Sequence, residues 1–397
     1  MNFDRVNLHA RAPQPPTRKV LFFQHSSQNG GAPRSLKQIV QSYEAECGPQ
    51  TVLFVSFGPV LETYKDVRSI IKIGRRIRPF HGSEVSGMNW RMAVRNIIGL
   101  ATVPWTYFRF LRDYDVIYLN STALCFHGLF ARIMGPRSTR IIYHIREPLL
   151  KNFWGQVIRL CVQNSADQII AISKNELNNL NLPNVRGEVV YNYVNTAEYS
   201  IKGGDSLHRQ DPAVETDSFV VGYFARLDEK NGIADFIKVA NDLKSRPNIA
   251  FVVYGLTGQE SNKIESLLKK ASFNVHVYPM VSDVPRNLGD IDLLLVPFKT
   301  PHFSRSVIEA AMLGIPSIIY DVSSLNETVK NGETGYIVPR GDTVSMGNCV
   351  IEIYKDTALR RRLGTAARAF ARTNFSEQNY EKIKAIINAQ TDQPGVK

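Results

Sequence analysis

Apolar runs of strand length recur along the chain at "KVLFFQH", "QTVLFVSF", "DVIYLNS", "RIIYHI", "QIIAIS" and "EVVYNY". The rhythm repeats in the second half at "FVVGYFARL", "IAFVVYG", "VHVYP", "DLLLVPF", "PSIIYD" and "GYIVP". Most of these runs are separated by segments long enough for a helix. Strands alternating with helices predict an α/β protein with parallel, doubly wound sheets, one in each half. Between the halves lies the polar, Gly-rich stretch "NTAEYSIKGGDSLHRQDPAVETDS", read as a linker and an irregular entry to the second domain. No repeat of 20 to 50 residues is visible.

Length supports the same division, because 397 residues suit two domains of about 150 to 200, each able to bury a core. The expected boundaries are a flexible Pro-rich leader over 1–18, a first domain over 19–197, a second over 198–375, and a closing helix and tail over 376–397. The leader has no apolar core of the secretion type. Composition, 44% hydrophobic and 21% charged, is that of an ordinary globular chain. The four cysteines are scattered without paired spacing, which points to a reduced intracellular protein lacking a structural metal.

Charge breaks the symmetry of the two halves. Residues 1–195 carry 24 Lys and Arg against 12 Asp and Glu, whereas residues 196–397 carry 24 against 24. The whole excess of +12 therefore sits in the first half, which is expected to meet something anionic: a phosphate-bearing lipid, a membrane surface or nucleic acid.

In doubly wound sheets ligands bind beyond the carboxyl ends of strands, and four such junctions are unusually polar or glycine-rich. In "QHSSQNGGAPRSL", Gly30 and Gly31 permit close approach of a ligand before a helix opens near Pro33. The pattern is not GxGxxG and no ribose-binding acid follows, which disfavours a nicotinamide or flavin dinucleotide. A plain tight turn would read the same way. In "YFARLDEKNGI", Arg226 and Lys230 leave a strand end together, as a diphosphate site would need and as a solvated charge cluster with Asp228 and Glu229 would also show. In "PHFSRSVIEA", a helix opening at Ser304, Arg305 and Ser306 offers free N–H groups, and Glu309 could accept ribose hydroxyls or be a satisfied core acid. In "IIYHIREP" a strand delivers His144, Arg146 and Glu147 to its end, where a lone histidine is often structural.

Taken in order, these segments resemble the retaining glycosyltransferases of family 4, the GT-B type with two Rossmann-like domains facing a central cleft. "GGAPRSL" resembles their N-terminal glycine loop and "YHIREP" the segment carrying an active-site histidine. "VGYFARLDEKNGIADFIKVA" resembles the phosphate signature, "SDVPRNLGDIDLLLVPF" the base-binding region, and "SRSVIEAAMLGIPSIIYDV" with "ETVKNGETGYIVPRGD" the donor signature.

The resemblance implies a UDP- or GDP-sugar donor held by the second domain and a glycan or lipid-linked acceptor held by the first. Arg226 and Lys230 would stabilise the leaving diphosphate and His144 would position the sugar. Gly30, Gly31, Val281, Ser304, Arg305, Ser306 and Glu309 would line the donor site. No cofactor and no divalent metal are implied, since no Asp-x-Asp cluster stands out. Two departures appear: Pro301 stands where the signature has its first glutamate, with His302 or Ser304 as substitutes, and Asn231 stands where a lysine usually precedes the glycine. Alternatives left open are a GT-B nucleotide-sugar epimerase and a non-enzymatic membrane-surface or nucleic-acid binding protein. Nucleic acid is disfavoured, because neither a ribonucleoprotein motif nor a helix-turn-helix signal is present.

Residues 72–112 add a location. Arg75, Arg76, Arg78, Arg91, Arg95, Arg109 and Arg112 bracket Ile97, Ile98, Leu100, Val103, Trp105, Tyr107, Phe108 and Phe110. The apolar part is too short to span a bilayer and Pro104 interrupts it. A segment lying in the headgroup plane is expected, holding a cytoplasmic protein on the inner, anionic face of the membrane; a domain-core helix with a basic outer face is the alternative.

Overall fold

The computed structural model describes residues 18–28, 30–80, 90–199, 211–215, 217–258, 260–281 and 284–390, the side chain of Met92 excepted. Most of the expected leader, the centre of the expected linker, Ser282 and Asp283 of the base-binding segment, and the tail after residue 390 lie outside the described residues.

Among the described residues, thirteen strands form two parallel sheets. The first contains β1 (Val20–Gln24), β2 (Thr51–Phe54), β3 (Ile70–Ile73), β4 (Val116–Leu119), β5 (Arg140–Ile145), β6 (Gln168–Ala171) and β7 (Gly187–Val189), in the order β3-β2-β1-β4-β5-β6-β7. The second contains β8 (Phe219–Phe224), β9 (Ile249–Leu256), β10 (Val275–Pro279), β11 (Leu293–Val296), β12 (Ser317–Tyr320) and β13 (Gly335–Val338), in the order β10-β9-β8-β11-β12-β13. All twelve apolar runs become strands, and the architecture is the two-sheet α/β arrangement expected. Central strands such as VLFF of β1 and LLLV of β11 are buried along their whole length, as parallel strands covered on both faces must be. The edge strands β3 and β10 are only partly covered, and Ile70 is exposed.

The helices are α1 (Gly31–Cys47), α2 (Trp90–Ala101), α3 (Val103–Thr106), α4 (Cys125–Met134), α5 (Phe153–Gln163), α6 (Lys174–Leu180), α7 (Ile233–Asp242), α8 (Asn262–Leu268), α9 (Val284–Leu288), α10 (Arg305–Leu313), α11 (Thr343–Lys355), α12 (Thr357–Asn374) and α13 (Gln378–Asn388). The chain divides into two compact units. One holds the residues up to His144, Asn152–Gln168 and those from Ile386; the other holds Ile145–Lys151 and Ile169–Ala385.

In the first unit the end of α13 is fixed by side chains: Tyr43 donates to Asn388 at 2.7 Å, and Arg140 donates to the Ala389 carbonyl at 2.9 Å. In the second, the α10 residues Ile308, Ala311 and Met312 pack with Ala367 and Ala371 of α12 and with Phe375. Both sheet orders reverse the direction of chain progression beside their first strand, between β1 and β4 and between β8 and β11. Such reversals open a crevice at the carboxyl ends of the two strands.

Candidate functional site

In the second unit, strand pairing sets Leu293 of β11 against Val221 of β8, so the loops leaving these two strands run side by side. Three features lock them together. Gly232 adopts φ +72°, and a Cβ there would lie 1.8 Å from the Pro297 carbonyl oxygen, so only glycine lets the loops approach this closely. The Lys299 amide donates to the Lys230 carbonyl at 2.8 Å. Asp235, in the first turn of α7, accepts from Lys299 at 2.7 Å and from Tyr320 of the next strand at 2.8 Å.

Asn231 explains why this loop can dispense with a lysine at its position. Its amide nitrogens donate to Asp228 and to the Arg226 carbonyl, and buried Tyr223 donates to the Arg226 and Asn231 carbonyls. Residue 231 thus shapes the loop and presents no charge. Arg226 is exposed, and neither it nor Lys230 makes an ion pair among the described residues. Lys230 lines a pocket of about 550 Å³ with Lys263, Lys270 and Lys299, where Lys263 holds the Glu229 carboxyl below its usual range. Arg226 instead stands near His302, on the β11 side.

His302 lies with its ring centroid 5.5 Å from that of Phe298. Crowding by protein atoms and the positive charge of Arg226 hold its pKa below the usual imidazole value. The sequence offered His302 only as a substitute at the departure from the signature; the structure brings it to Arg226.

Helix α10 opens next to His302. Its N-cap, Ser304, is buried, and its hydroxyl is 3.0 Å from that of Ser306, leaving the helix without a side-chain cap. No acidic residue lies in the first turn, so the positive end of the helix dipole is uncompensated there. Arg305 folds back along the helix: its Nε donates to Glu309 at 2.8 Å and its Nη1 to the Tyr193 carbonyl at 3.3 Å. Glu309 is 2% exposed, so its carboxylate is a buried group with a fixed cationic partner. Val281 follows the edge strand β10, two strands from β8, half-buried against the core.

In the first unit, Gly30 and Gly31 open α1 after β1. Neither adopts the left-handed conformation that favours glycine, and a Cβ on either would meet nothing within 4 Å. The smallness of these residues is therefore not demanded by the fold. Asn120, after β4, donates from its side-chain amide to the Gln24 side chain and from its backbone N–H to the Phe23 carbonyl, and its own carbonyl lies 3.1 Å from Nδ1 of the His25 ring. His144, near the end of β5, is 1% exposed, with its Nδ1 hydrogen-bonded to the Tyr118 hydroxyl. In the second unit, Arg146 donates to Asn192 at 2.9 Å. Among the described residues no cluster of three or more metal-ligating side chains is found.

Residues 205–370 match the family described as glycosyl transferases group 1. The chain is 30% identical over 176 residues to the capsular polysaccharide biosynthesis glycosyltransferase CapM of Staphylococcus aureus, a match covering 43% of this chain and 46% of that protein. It is 25% identical over 250 residues to N-acetyl-alpha-D-glucosaminyl L-malate synthase of Bacillus anthracis, covering 60% of this chain and 63% of that one. The chain thus spans about half to just under two thirds of the length of these two relatives. Among solved structures, Anabaena HepE in complex with UDP and glucose superposes with a TM-score of 0.75 at 20% identity, covering 94% of this chain and all of that one. Sucrose-phosphate synthase from Thermosynechococcus elongatus gives 0.71 at 17% identity, covering 93% and 98%. The fold is that of the GT-B glycosyltransferases.

Proposed function

We propose that this chain, whose residues 205–370 match the group 1 glycosyl transferases, moves a sugar from a UDP- or GDP-sugar to a glycan or lipid-linked acceptor. The observation that carries the reading is the juxtaposition, at the β8–β11 reversal, of an unpaired Arg226, His302 and the uncapped amino end of α10. A diphosphate fits this set: the guanidinium fork and the helix amides neutralise it, and the nearby Asp228 carboxylate is engaged by Asn231. Likeness to the capsular polysaccharide enzyme and to the O-antigen biosynthesis glycosyltransferase WclY of Escherichia coli supports a role in making cell-surface polysaccharide or glycolipid.

In the proposed reaction the bond between the anomeric carbon and the diphosphate oxygen breaks, and a bond from the acceptor oxygen forms on the same face. The acceptor's proton passes to the leaving phosphate oxygen, so the anomeric configuration is retained without a carboxylate pair of the hydrolase kind. Arg226 stabilises the charge that grows on the leaving group, with Lys230 as an outer cation. Glu309 accepts ribose hydroxyls, and Val281 borders the base. Gly30 and Gly31 leave room for the first-unit loop to approach the donor, and His144, held by Tyr118, positions the sugar. No metal or other cofactor takes part. The test is incubation with UDP- and GDP-sugars, with and without glycan acceptors. Acceptor-dependent release of nucleoside diphosphate supports the reading, whereas turnover of the sugar with donor alone would favour an epimerase.

A further inference from the structure

We propose that the outer face of α2 and α3 in the first unit docks on the surface of a bilayer containing anionic lipids. The sequence from Trp90 to Arg112 contains four arginines and no acid. Its inward seam consists of Asn96, Gly99, Val103 and Tyr107, all buried, and a Cβ on Gly99 would lie 2.9 Å from the Arg78 carbonyl oxygen, so the helix sits close against the protein.

The opposite face remains uncovered. Trp90 (71% exposed), Val94, Ile97 (66%) and Ile98 recur at the helical spacing i, i+4, i+7 and i+8, and Trp105 and Phe108 follow. Of the sixteen exposed large apolar side chains among the described residues, thirteen belong to the first unit, so this face lies on the more apolar surface as well as in the more basic half.

Arginines are interleaved with these side chains. The Arg91 guanidinium lies 5.5 Å from the Trp90 ring centroid and that of Arg76 lies 5.9 Å from Trp105, while Arg95 and Arg109 are exposed alongside. Arg112 is paired with Asp113 and contributes less. Among the described residues no helix is long and apolar enough to cross a membrane.

Charge selects the occupant. A second copy of the chain would bring the same arginines against these, and the core of a protein interface is depleted of charge. A headgroup layer satisfies both features at once, taking the apolar side chains at the acyl boundary and pairing the guanidinium groups with lipid phosphates. The inference stands independently of the glycosyl-transfer reading.

The experiment is co-sedimentation of the full chain with vesicles of phosphatidylcholine alone and of equal parts phosphatidylglycerol and phosphatidylcholine, at rising salt. The chain should sediment with the mixed vesicles only, and salt should release it. Arg91→Gln with Arg95→Gln should weaken binding by about tenfold or more. Ile97→Glu with Ile98→Glu should abolish it, while Phe273→Glu, at an exposed site in the second unit, should leave it unchanged. These positions are on the surface, and an unchanged melting temperature confirms that the variants fold. Equal binding to both vesicles, binding to neither, or wild-type binding by the Ile97/Ile98 variant would overturn the proposal. So would concentration-dependent dimerisation that the same variant abolishes, which would assign the face to a second copy.

Discussion

Arg305 and Glu309 face each other one turn apart on α10, with Nε 2.8 Å from the carboxylate, and the pair is almost wholly buried. The residue proposed to hold the ribose is therefore also the partner of a buried cation, and the two roles can be separated by a double substitution. Glu309→Leu alone takes away the carboxylate partner of the guanidinium and should cost about 3 to 5 kcal/mol of stability, together with donor affinity. Arg305→Leu with Glu309→Leu should recover most of the stability, because removing both partners of a buried pair is far less costly than removing one. If the carboxylate also holds ribose, UDP affinity stays low in the double variant. Calorimetric titration of the refolded double variant decides, and wild-type affinity there would leave Glu309 a purely structural role.

Arg226 is exposed and unpaired, so Arg226→Ala should change stability by no more than about 0.5 kcal/mol. Turnover of a nucleotide-sugar should nevertheless fall by a factor on the order of 100 to 1,000. Lys230→Ala, in the separate lysine-lined pocket, should cost clearly less. Steady-state rates of the two variants, with melting curves as the folding control, make the comparison; equal losses would show that the two cations act as one clamp.

Much of this was legible in the sequence. The strands were readable because parallel strands buried on both faces are continuous apolar runs, and only β3 escaped, an edge strand whose "IIKI" is partly exposed and carries a lysine. The clustering of polar residues at strand ends located Arg226 and the start of α10, because sheet topology forces those ends together. What could not be read was which partner each polar side chain takes. Spacing allows Arg305 to reach Glu309 but does not require it. The roles of Asn231 and Asp235 as loop braces depend on backbone carbonyls and side chains brought close only by the fold. The proximity of His302 to Arg226, 76 positions apart, rests on the pairing of β8 with β11.

The glycines divide into two kinds. Gly232→Ala puts a Cβ against the Pro297 carbonyl in a left-handed conformation and should destabilise the second unit by about 2 kcal/mol or more. Gly30→Ala and Gly31→Ala meet open space and should leave the melting temperature unchanged. If a bound donor fills that space, activity should still fall on the order of tenfold to a hundredfold. Full activity in both variants would remove the first-unit loop from the donor site.

His127 supplies a pH dependence. Both ring nitrogens are buried without a hydrogen-bond partner among the described residues, and burial pushes its pKa down to about 4. The unfolded chain, with an imidazole near its usual value of about 6.5, then binds more protons than the folded one between these values. Stability contributed by keeping this ring neutral is complete above about pH 6.5 and is lost as pH falls toward 4, by on the order of 3 kcal/mol. Denaturant titrations across that range should show a smaller decline for His127→Leu than for the wild type. An identical decline in both would place the acid sensitivity elsewhere.

Binding of a nucleoside diphosphate at the β8–β11 reversal through Arg226 is measured by thermal denaturation with UDP, GDP and ADP. A ligand at about 100 times its dissociation constant adds roughly 2.7 kcal/mol, a shift readily seen for a chain of this size. A raised melting temperature is expected for the wild type with UDP or GDP, and none for Arg226→Ala. No shift with any of the three nucleotides, or the same shift in Arg226→Ala as in the wild type, would contradict it.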